Sequence, residues 1–275
     1  MKRSTLIGQI KQKSSFLCIG LDIDLEKIPA HLLKVEDPLF SFSKAIVDAT
    51  APYAVAFKPN VAFFEAYGSK GWISLEKLIF YINNIYPEIF TIADAKRGDI
   101  GNTAARYAKA FFETLGFDAV TVAPYMGRDA VEPFLEFPEK QTVLLGLTSN
   151  PSAADFQYHP NAEIPLYKKV LKDSQKWKNS SQLMYVVGAT KSDALKEIRR
   201  LLPDSFFLVP GLGAQGGSLQ EVSEAGLNED CGLLVNSSRS ILYASQDEYF
   251  AQAAANQAQS YQKEMQHYLS KINLL

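Results

Sequence analysis

The chain has 275 residues, of which 47% are hydrophobic and 21% charged, and its formal net charge is −2. These values are typical of a soluble globular protein and give no sign of the basic patch that nucleic-acid binding needs. Lys11 and Lys13 interrupt the segment where a signal peptide needs an apolar run, and no stretch of about 18 apolar residues predicts a membrane span. The two cysteines, Cys18 and Cys231, are too few for a disulfide framework. We therefore expect a cytoplasmic protein that binds neither nucleic acid nor membrane.

Eight short runs of nearly continuous apolar character follow one another along the chain. In order they are 16–23, 53–58, 89–95, 119–124, 142–148, 184–188, 206–209 and 231–236. Continuous apolar runs are typical of strands buried on both faces of a parallel sheet. The pattern therefore predicts eight parallel strands.

Amphipathic stretches lie between these strands. We predict helices over 74–86, 103–115, 165–178, 192–202 and 247–272. Eight strands that alternate with helical sequence predict repeated βαβ units with right-handed crossovers, and eight such units close into a (β/α)8 TIM barrel. An open doubly wound sheet is the main alternative, but it usually has fewer strands. No linker divides the sequence, so we predict one barrel domain over 1–275.

Most of the predicted strands end in polar residues. They are Asp22 at the end of strand one, Lys58 at the end of strand two, Asp94 to Asp99 at the end of strand three, Ser149 after strand five, the glycine-rich segment from Pro210 after strand seven, and Ser238 and Arg239 after strand eight. In α/β barrels the active site lies at the carboxyl ends of the strands. The pattern therefore predicts an enzyme with its active site at this rim.

The end of strand three carries the strongest chemical signal. Asp94 and Lys96 are two residues apart, so in an extended strand they point the same way, and Asp99 follows after a glycine. Carboxylates around an ammonium favour its charged form, and a lysine kept protonated in a dry pocket is a positioned proton donor. The carboxylates would also repel a substrate carboxylate. These features indicate a decarboxylation in which Lys96 protonates the carbanion, although an ion-pair cluster on a turn is the plain alternative.

Two further strand ends supply charged candidates. Lys58 ends an apolar strand, where an unpaired buried lysine would be costly, and it could bridge Asp94 and a substrate hydroxyl. Asp22 stands in the same place after strand one. A lysine that reaches out to solvent and a loop-capping aspartate are the alternatives for these two residues.

The turns after strands seven and eight predict a phosphate site. The glycine-rich segment 210–217 offers free backbone N–H groups, and many barrels bind phosphate at this place. Ser238 and Arg239 follow strand eight, and a guanidinium group can bind phosphate through two hydrogen bonds. The histidines, His31, His159 and His267, are far apart in sequence, so we predict no metal site.

Six segments in this order resemble the orotidine 5'-phosphate decarboxylase family. They are 20–22, 57–60, 94–103, 148–151, 210–217 and 238–240. The run 123–129 and the extended loop after strand five resemble the longer bacterial branch of that family. The resemblance implies a TIM barrel that converts orotidine 5'-phosphate to uridine 5'-phosphate and CO2 in pyrimidine biosynthesis, without a cofactor or metal.

The resemblance also implies a role for individual positions. Lys96 would protonate carbon 6 of the pyrimidine, Asp94 would lie beside the departing carboxylate, and Lys58 and Asp22 would hold ribose hydroxyls. The remaining implied contacts are Ser149 to the pyrimidine, Gln215 and Arg239 to the phosphate under a loop from Pro210, and Asp99, Ile100 and Thr103 to the neighbouring subunit's site. The last three imply a homodimer with shared active sites. The segment 156–178 carries no predicted role.

Three alternatives stay open at this point. A sugar-phosphate decarboxylase or aldolase of the same superfamily resembles the Asp-x-Lys-x-x-Asp core, but it uses magnesium held partly by an acidic residue after strand two, where this chain has Lys58. A Schiff-base aldolase would use Lys58 or Lys96 as its nucleophile, although flanking carboxylates would keep Lys96 protonated. A non-catalytic phosphate-binding barrel would have no use for the charge network.

Overall fold

The computed structural model of the chain describes residues 1–159, 164–190, 192–212 and 217–275. Its strands are β1 (Leu17–Leu21), β2 (Ala56–Pro59), β3 (Phe90–Arg97), β4 (Ala119–Val122), β5 (Gln141–Leu147), β6 (Leu183–Val187), β7 (Phe207–Pro210) and β8 (Leu233–Ser237). They form a closed barrel in which each strand pairs with the next in sequence order. All eight predicted strands are confirmed.

Helices surround this barrel. They are α1 (Arg3–Lys13), α2 (Pro38–Thr50), α3 (Val61–Glu65), α4 (Gly68–Ile85), α5 (Gly101–Lys109), α6 (Glu132–Leu135), α7 (Ala153–Phe156), α8 (Leu166–Ser174), α9 (Ser192–Leu201), α10 (Leu219–Gly226), α11 (Arg239–Leu242) and α12 (Phe250–Lys271). Short 3-10 turns cover Ala30–Lys34, Arg128–Ala130 and Ser180–Gln182, and a π-helical turn covers Ala110–Thr114. Within the described ranges no helix has the length and apolar character needed to span a membrane. The cytoplasmic location stays a prediction.

Closure of the sheet decides between the two predicted architectures. β1 pairs in parallel with β8, with Leu17 opposite Val235, as well as with β2. An open doubly wound sheet would have two edge strands, whereas each of these eight strands pairs with a neighbour on both sides, so that alternative is wrong. The strands are buried along nearly their whole length, and Phe57, Phe90 and Phe207 are among the largest fully buried side chains. That the whole chain is one domain stays a prediction.

The predicted helices are present, with differences at their ends. Helix α4 begins at Gly68 rather than at residue 74. Glycine is a poor helix former, so Gly68 and Gly71 hide this first part of the helix from a propensity argument. A Cβ atom at Gly71 would lie 1.8 Å from the Phe64 carbonyl oxygen. Gly71 therefore allows α4 to pack closely against α3, and these helices follow β2, the strand that carries Lys58.

Candidate active site

A cavity of about 310 Å³ opens at the carboxyl ends of the strands. Its charged lining residues are Asp22, Lys58, Asp94, Lys96 and Arg239. Its apolar wall consists of Leu145, Val186, Leu208 and Leu212. The barrel therefore brings charged side chains from β1, β2, β3 and the turn after β8 to one pocket, at the rim predicted from the sequence.

Asp94 stands between two lysines in this cavity. Lys58 Nζ lies 2.8 Å from Asp94 Oδ2, and Lys96 Nζ lies 2.6 Å from Asp94 Oδ1. The Lys58 side chain is only 4% exposed, whereas that of Lys96 is 52% exposed. The two ammonium groups therefore differ in their surroundings: one is a buried member of an ion pair, and the other reaches solvent.

The charges of this cluster stabilise one another. Burial acts to raise the pKa of Asp94, but the positive charges of Lys58 and Lys96 outweigh it and hold that pKa well below its usual range. Burial acts to lower the pKa of Lys58, but Asp94 and then Asp22 outweigh it, so that pKa lies above its usual value. Asp94 and Lys58 are therefore both ionised at neutral pH.

Asp22 presents an oxygen that the described part of the chain leaves unpartnered. Its Oδ1 atom is buried without a hydrogen bond, while its backbone carbonyl oxygen accepts a hydrogen bond from the Tyr243 hydroxyl at 2.8 Å. A buried carboxylate oxygen without a donor is costly unless a ligand supplies one. This oxygen therefore suits a hydroxyl of a bound molecule.

The backbone around Lys96 is irregular. The register between β3 and β4 shifts between Ala93 and Arg97, and Lys96 has a φ of 44°, in the left-handed region. The backbone N–H of Lys96 donates to Thr121 Oγ1 at 2.8 Å. The predicted contact between Lys96 and Asp94 is present, but a bulged strand rather than a regular one produces it.

The loop after β5 forms another side of the cavity. Thr148, Ser149 and Asn150 line it, and Gln157 holds the loop from outside. Gln157 Oε1 accepts from the Thr148 backbone N–H at 2.8 Å, and Gln157 Nε2 donates to Thr148 Oγ1 at 2.7 Å. Gly188 leaves room for Ser149, because a Cβ atom there would lie 2.8 Å from the Ser149 backbone nitrogen.

The residues of the predicted phosphate end line the same cavity. Pro210, Ser238 and Arg239 line the cavity, and Arg239 is exposed. Gly20 allows the turn after β8 to approach β1, because a Cβ atom there would lie 1.9 Å from Ser238 Oγ. Gln215 lies outside the described residues, so its predicted phosphate contact stays a prediction.

The carboxylate of Asp99 is not brought to this cluster within the described part of one chain. The ion pair of Lys96 is with Asp94, and Asp99 Oδ1 instead accepts from the backbone N–H of Ile100 at 2.8 Å. Ile100 is 48% exposed and Thr103 is exposed as well. The idea of two carboxylates around one ammonium is therefore wrong for a single chain, and a role of these residues in a neighbouring subunit stays a prediction.

Comparisons with known proteins agree on one family. The model of the orotidine 5'-phosphate decarboxylase / HUMPS family matches residues 15–254. A protein named orotidine 5'-phosphate decarboxylase from Flavobacterium johnsoniae is 62% identical over 265 residues, which cover 96% of this chain and 97% of that protein. This chain belongs to that family.

Other members of the orotidine 5'-phosphate decarboxylase / HUMPS family match the chain over its length as well. A protein of the same name from Christiangramia forsetii is 58% identical and covers 99% of this chain, with 100% of its own length matched. The structure of Leishmania donovani OMP decarboxylase superposes with a TM-score of 0.80 at 34% identity, covering 96% of this chain and 100% of that one. The resemblance read from the strand-end segments is confirmed.

Sequence reasoning missed several residues of this family member's cavity. Thr121 is 1% exposed and lines the cavity beside Asp94, and its only signal was a polar side chain within an apolar strand. Gln157 gives the segment 156–178 a structural role through its contact with Thr148. No periodic pattern in the sequence relates these two residues, because a loop separates them. Asn60 and Asn236 also line the cavity. Asparagines at strand ends were visible in the sequence, but nothing distinguished them from loop residues.

Proposed function

We propose that this protein converts orotidine 5'-phosphate to uridine 5'-phosphate and CO2. The observation that carries the proposal is the placement of Asp94 between Lys58 and Lys96 in a cavity at the strand ends. A carboxylate and a charged lysine side by side suit a substrate that loses a carboxylate and then needs a proton. The names and identities of the relatives support this choice of substrate.

Asp94 and Lys96 have different roles in the proposed reaction. The bond between carbon 6 and the carboxylate breaks, CO2 leaves, and the electron pair stays on carbon 6. Lys96 gives that carbon a proton and regains one from solvent, which its exposed side chain reaches. Asp94 lies beside the departing carboxylate, and its contact with Lys96 Nζ orients the proton donor.

The rest of the cavity supports a nucleotide. The buried Oδ1 of Asp22, which has no hydrogen-bond partner among the residues that the structure describes, accepts a hydrogen bond from a ribose hydroxyl, with Lys58 beside it. Ser149 contacts the pyrimidine from the loop after β5. At the other end, Pro210, Gln215, Ser238 and Arg239 hold the phosphate, where a guanidinium group forms two charged hydrogen bonds.

We further propose a homodimer in which Asp99, Ile100 and Thr103 complete the partner's site. The exposure of Ile100 and Thr103 in the single chain supports this arrangement. Mixing equal amounts of Lys96→Ala and Asp99→Ala chains tests it, because half of all dimers would then contain both kinds of chain, and each of these would carry one site without either substitution. We expect recovery of about a quarter of wild-type activity from two inactive variants. No recovery after verified subunit exchange would refute the shared site.

The second candidate is a magnesium-dependent sugar-phosphate lyase, since the matched family model also carries the HUMPS name. Lys58 disfavours it, because its ammonium group occupies the position next to Asp94 where a cation would bind. That the reaction needs no metal or cofactor is a prediction. It is tested by following the pyrimidine absorbance of orotidine 5'-phosphate with EDTA present. Turnover supports the decarboxylase; activity lost in EDTA and restored by magnesium, or no turnover by folded protein, refutes it.

A further inference from the structure

Thr121 touches both members of the Asp94–Lys96 pair. Its hydroxyl accepts the backbone N–H of Lys96 at 2.8 Å, and its own proton has two acceptors within reach. These are Asp94 Oδ1 at 3.1 Å and the Ala93 carbonyl oxygen at 3.4 Å. The charged acceptor at the shorter distance is favoured. One buried hydroxyl on β4 thus links the backbone of the proposed proton donor to the carboxylate beside it.

The backbone of β3 explains why this hydroxyl is needed. Ala93 lies opposite Val120 and Arg97 lies opposite Val122, so four steps along β3 match two steps along β4. Within this bulge the N–H of Lys96 donates to the Thr121 side chain instead of to a strand carbonyl. A non-glycine residue in the left-handed region is strained, and it stays there only where its surroundings hold it.

We propose that Thr121 is a positioning residue that holds Lys96 and Asp94 in their reactive arrangement. The proposal rests on the decarboxylase function proposed above. Thr121 supports the left-handed backbone of Lys96 by accepting its N–H, and it orients Asp94 by donating to Oδ1. Without the hydroxyl, the partly buried N–H of Lys96 loses its acceptor. Rotation of that peptide carries the Lys96 ammonium group away from Asp94 and from the proposed position of carbon 6.

Three substitutions separate positioning from packing. Thr121→Val keeps the side-chain shape and removes the hydroxyl, and Thr121→Ser keeps the hydroxyl. Thr142→Val is the matched control, because Thr142 is also fully buried and lies on β5 opposite Val120. Its hydroxyl has no hydrogen-bond partner among the described residues. Thr142→Val therefore makes the same chemical change next to β4, the strand that carries Thr121, but away from the Asp94–Lys96 pair.

The test is kcat and KM for orotidine 5'-phosphate, with active sites counted by titration with uridine 5'-phosphate. We expect Thr121→Val to lower kcat per titrated site by about 10- to 100-fold, with KM changed by less than about threefold. Thr121→Ser and Thr142→Val should stay within about threefold of the wild type in both constants. If Thr121→Val does not fold, Thr121→Ala replaces it under the same criteria.

Two results would overturn the proposal. One is a kcat per titrated site in Thr121→Val that equals that of Thr142→Val. The other is a loss of activity that only follows a loss of titrated sites, since that reports misfolding. If the wild type itself does not turn over orotidine 5'-phosphate, the proposed function fails separately. Crystal structures then decide on Thr121: an unchanged Lys96 backbone and an unchanged contact to Asp94 in Thr121→Val would refute its role.

Discussion

Replacement of Lys58 by methionine would expose how much the buried ion pair contributes to the fold. Lys58 is 3% exposed, and its ammonium group lies 2.8 Å from Asp94 Oδ2. Methionine is an unbranched apolar side chain that can fill the same space. The substitution leaves Asp94, which is largely buried, with Lys96 as its remaining cation.

The expected loss of stability follows from this geometry. At 2.8 Å and an effective dielectric constant of about 20, the gross attraction is roughly 6 kcal/mol. The cost of removing both charges from water offsets part of it, and loss of one partner of a buried pair costs about 3–5 kcal/mol. For a chain of this length that corresponds to a melting temperature lower by about 6–20 °C.

The stability difference between the wild type and Lys58→Met depends on pH, and this dependence identifies the ion pair as its source. The pKa of Asp94 is depressed in the folded protein, so its contribution to stability is present above the unfolded value of about 3.9 and is lost as the pH falls through the folded pKa. The pKa of Lys58 is raised, so its contribution is complete below about 10.4 and is lost only as the pH rises through its folded pKa. We expect a constant difference from about pH 6 to 9 that narrows below about pH 4.

Thermal unfolding followed by circular dichroism measures the effect in a double-mutant cycle with Asp94→Asn. We expect the double variant to be more stable than the sum of the single losses predicts, by at least about 1 kcal/mol. A loss below about 1 kcal/mol for Lys58→Met, or strict additivity with Asp94→Asn, would show that the buried pair does not stabilise the fold.

Three further predictions concern the other parts of the cavity. Arg239→Ala should raise KM by roughly 10- to 100-fold because it removes charged hydrogen bonds to the phosphate, and an unchanged KM would place the phosphate elsewhere. Gln157→Leu should raise KM by about tenfold because the loop that carries Ser149 loses two hydrogen bonds to Thr148, whereas Gln157→Glu retains the acceptor and should have a smaller effect. Burial raises the pKa of the Cys18 thiol to about 12, so this residue of the native protein should resist alkylation by iodoacetamide at pH 8. Peptide mass spectrometry measures the modification, and a rate as fast as in denatured protein would contradict the burial.

The barrel was predictable from the sequence because each part of it leaves a local pattern. Strands buried on both faces, such as β1 and β6, appear as continuous apolar runs. Their number and alternation with helices then limit the topology. The first turns of α4 were missed because Gly71 is there for close packing and Gly68 has a left-handed backbone, and glycine weakens the helical signal.

The charged members of the site were predictable for a similar reason. Lys58 and Asp94 lie in the carboxyl-terminal parts of apolar strands and Arg239 comes just after one, so the fold alone brings them to one rim. The residues that hold them were not predictable. The contact of Thr121 with Lys96 depends on a bulge in β3, and that of Gln157 depends on how a loop folds back. Such contacts join residues that no periodic pattern relates.

The position of Asp99 shows a different limit. Its sequence spacing from Lys96 indicated a second carboxylate around the same ammonium group, but the segment that carries it leads into α5, and its carboxylate accepts a hydrogen bond from the Ile100 backbone N–H. The family resemblance assigns Asp99 to the neighbouring subunit, and the mixing of inactive variants tests that assignment directly.

The central claim is that Lys96 delivers the proton after CO2 leaves, and Lys96→Ala tests it most directly. Turnover of orotidine 5'-phosphate and equilibrium binding of uridine 5'-phosphate are measured on the same folded samples of wild type and variant. We predict that the variant binds the nucleotide while its turnover falls by about 10²–10⁴-fold or more. That range is typical for the loss of a general acid. Near-normal turnover in the folded variant would contradict the account.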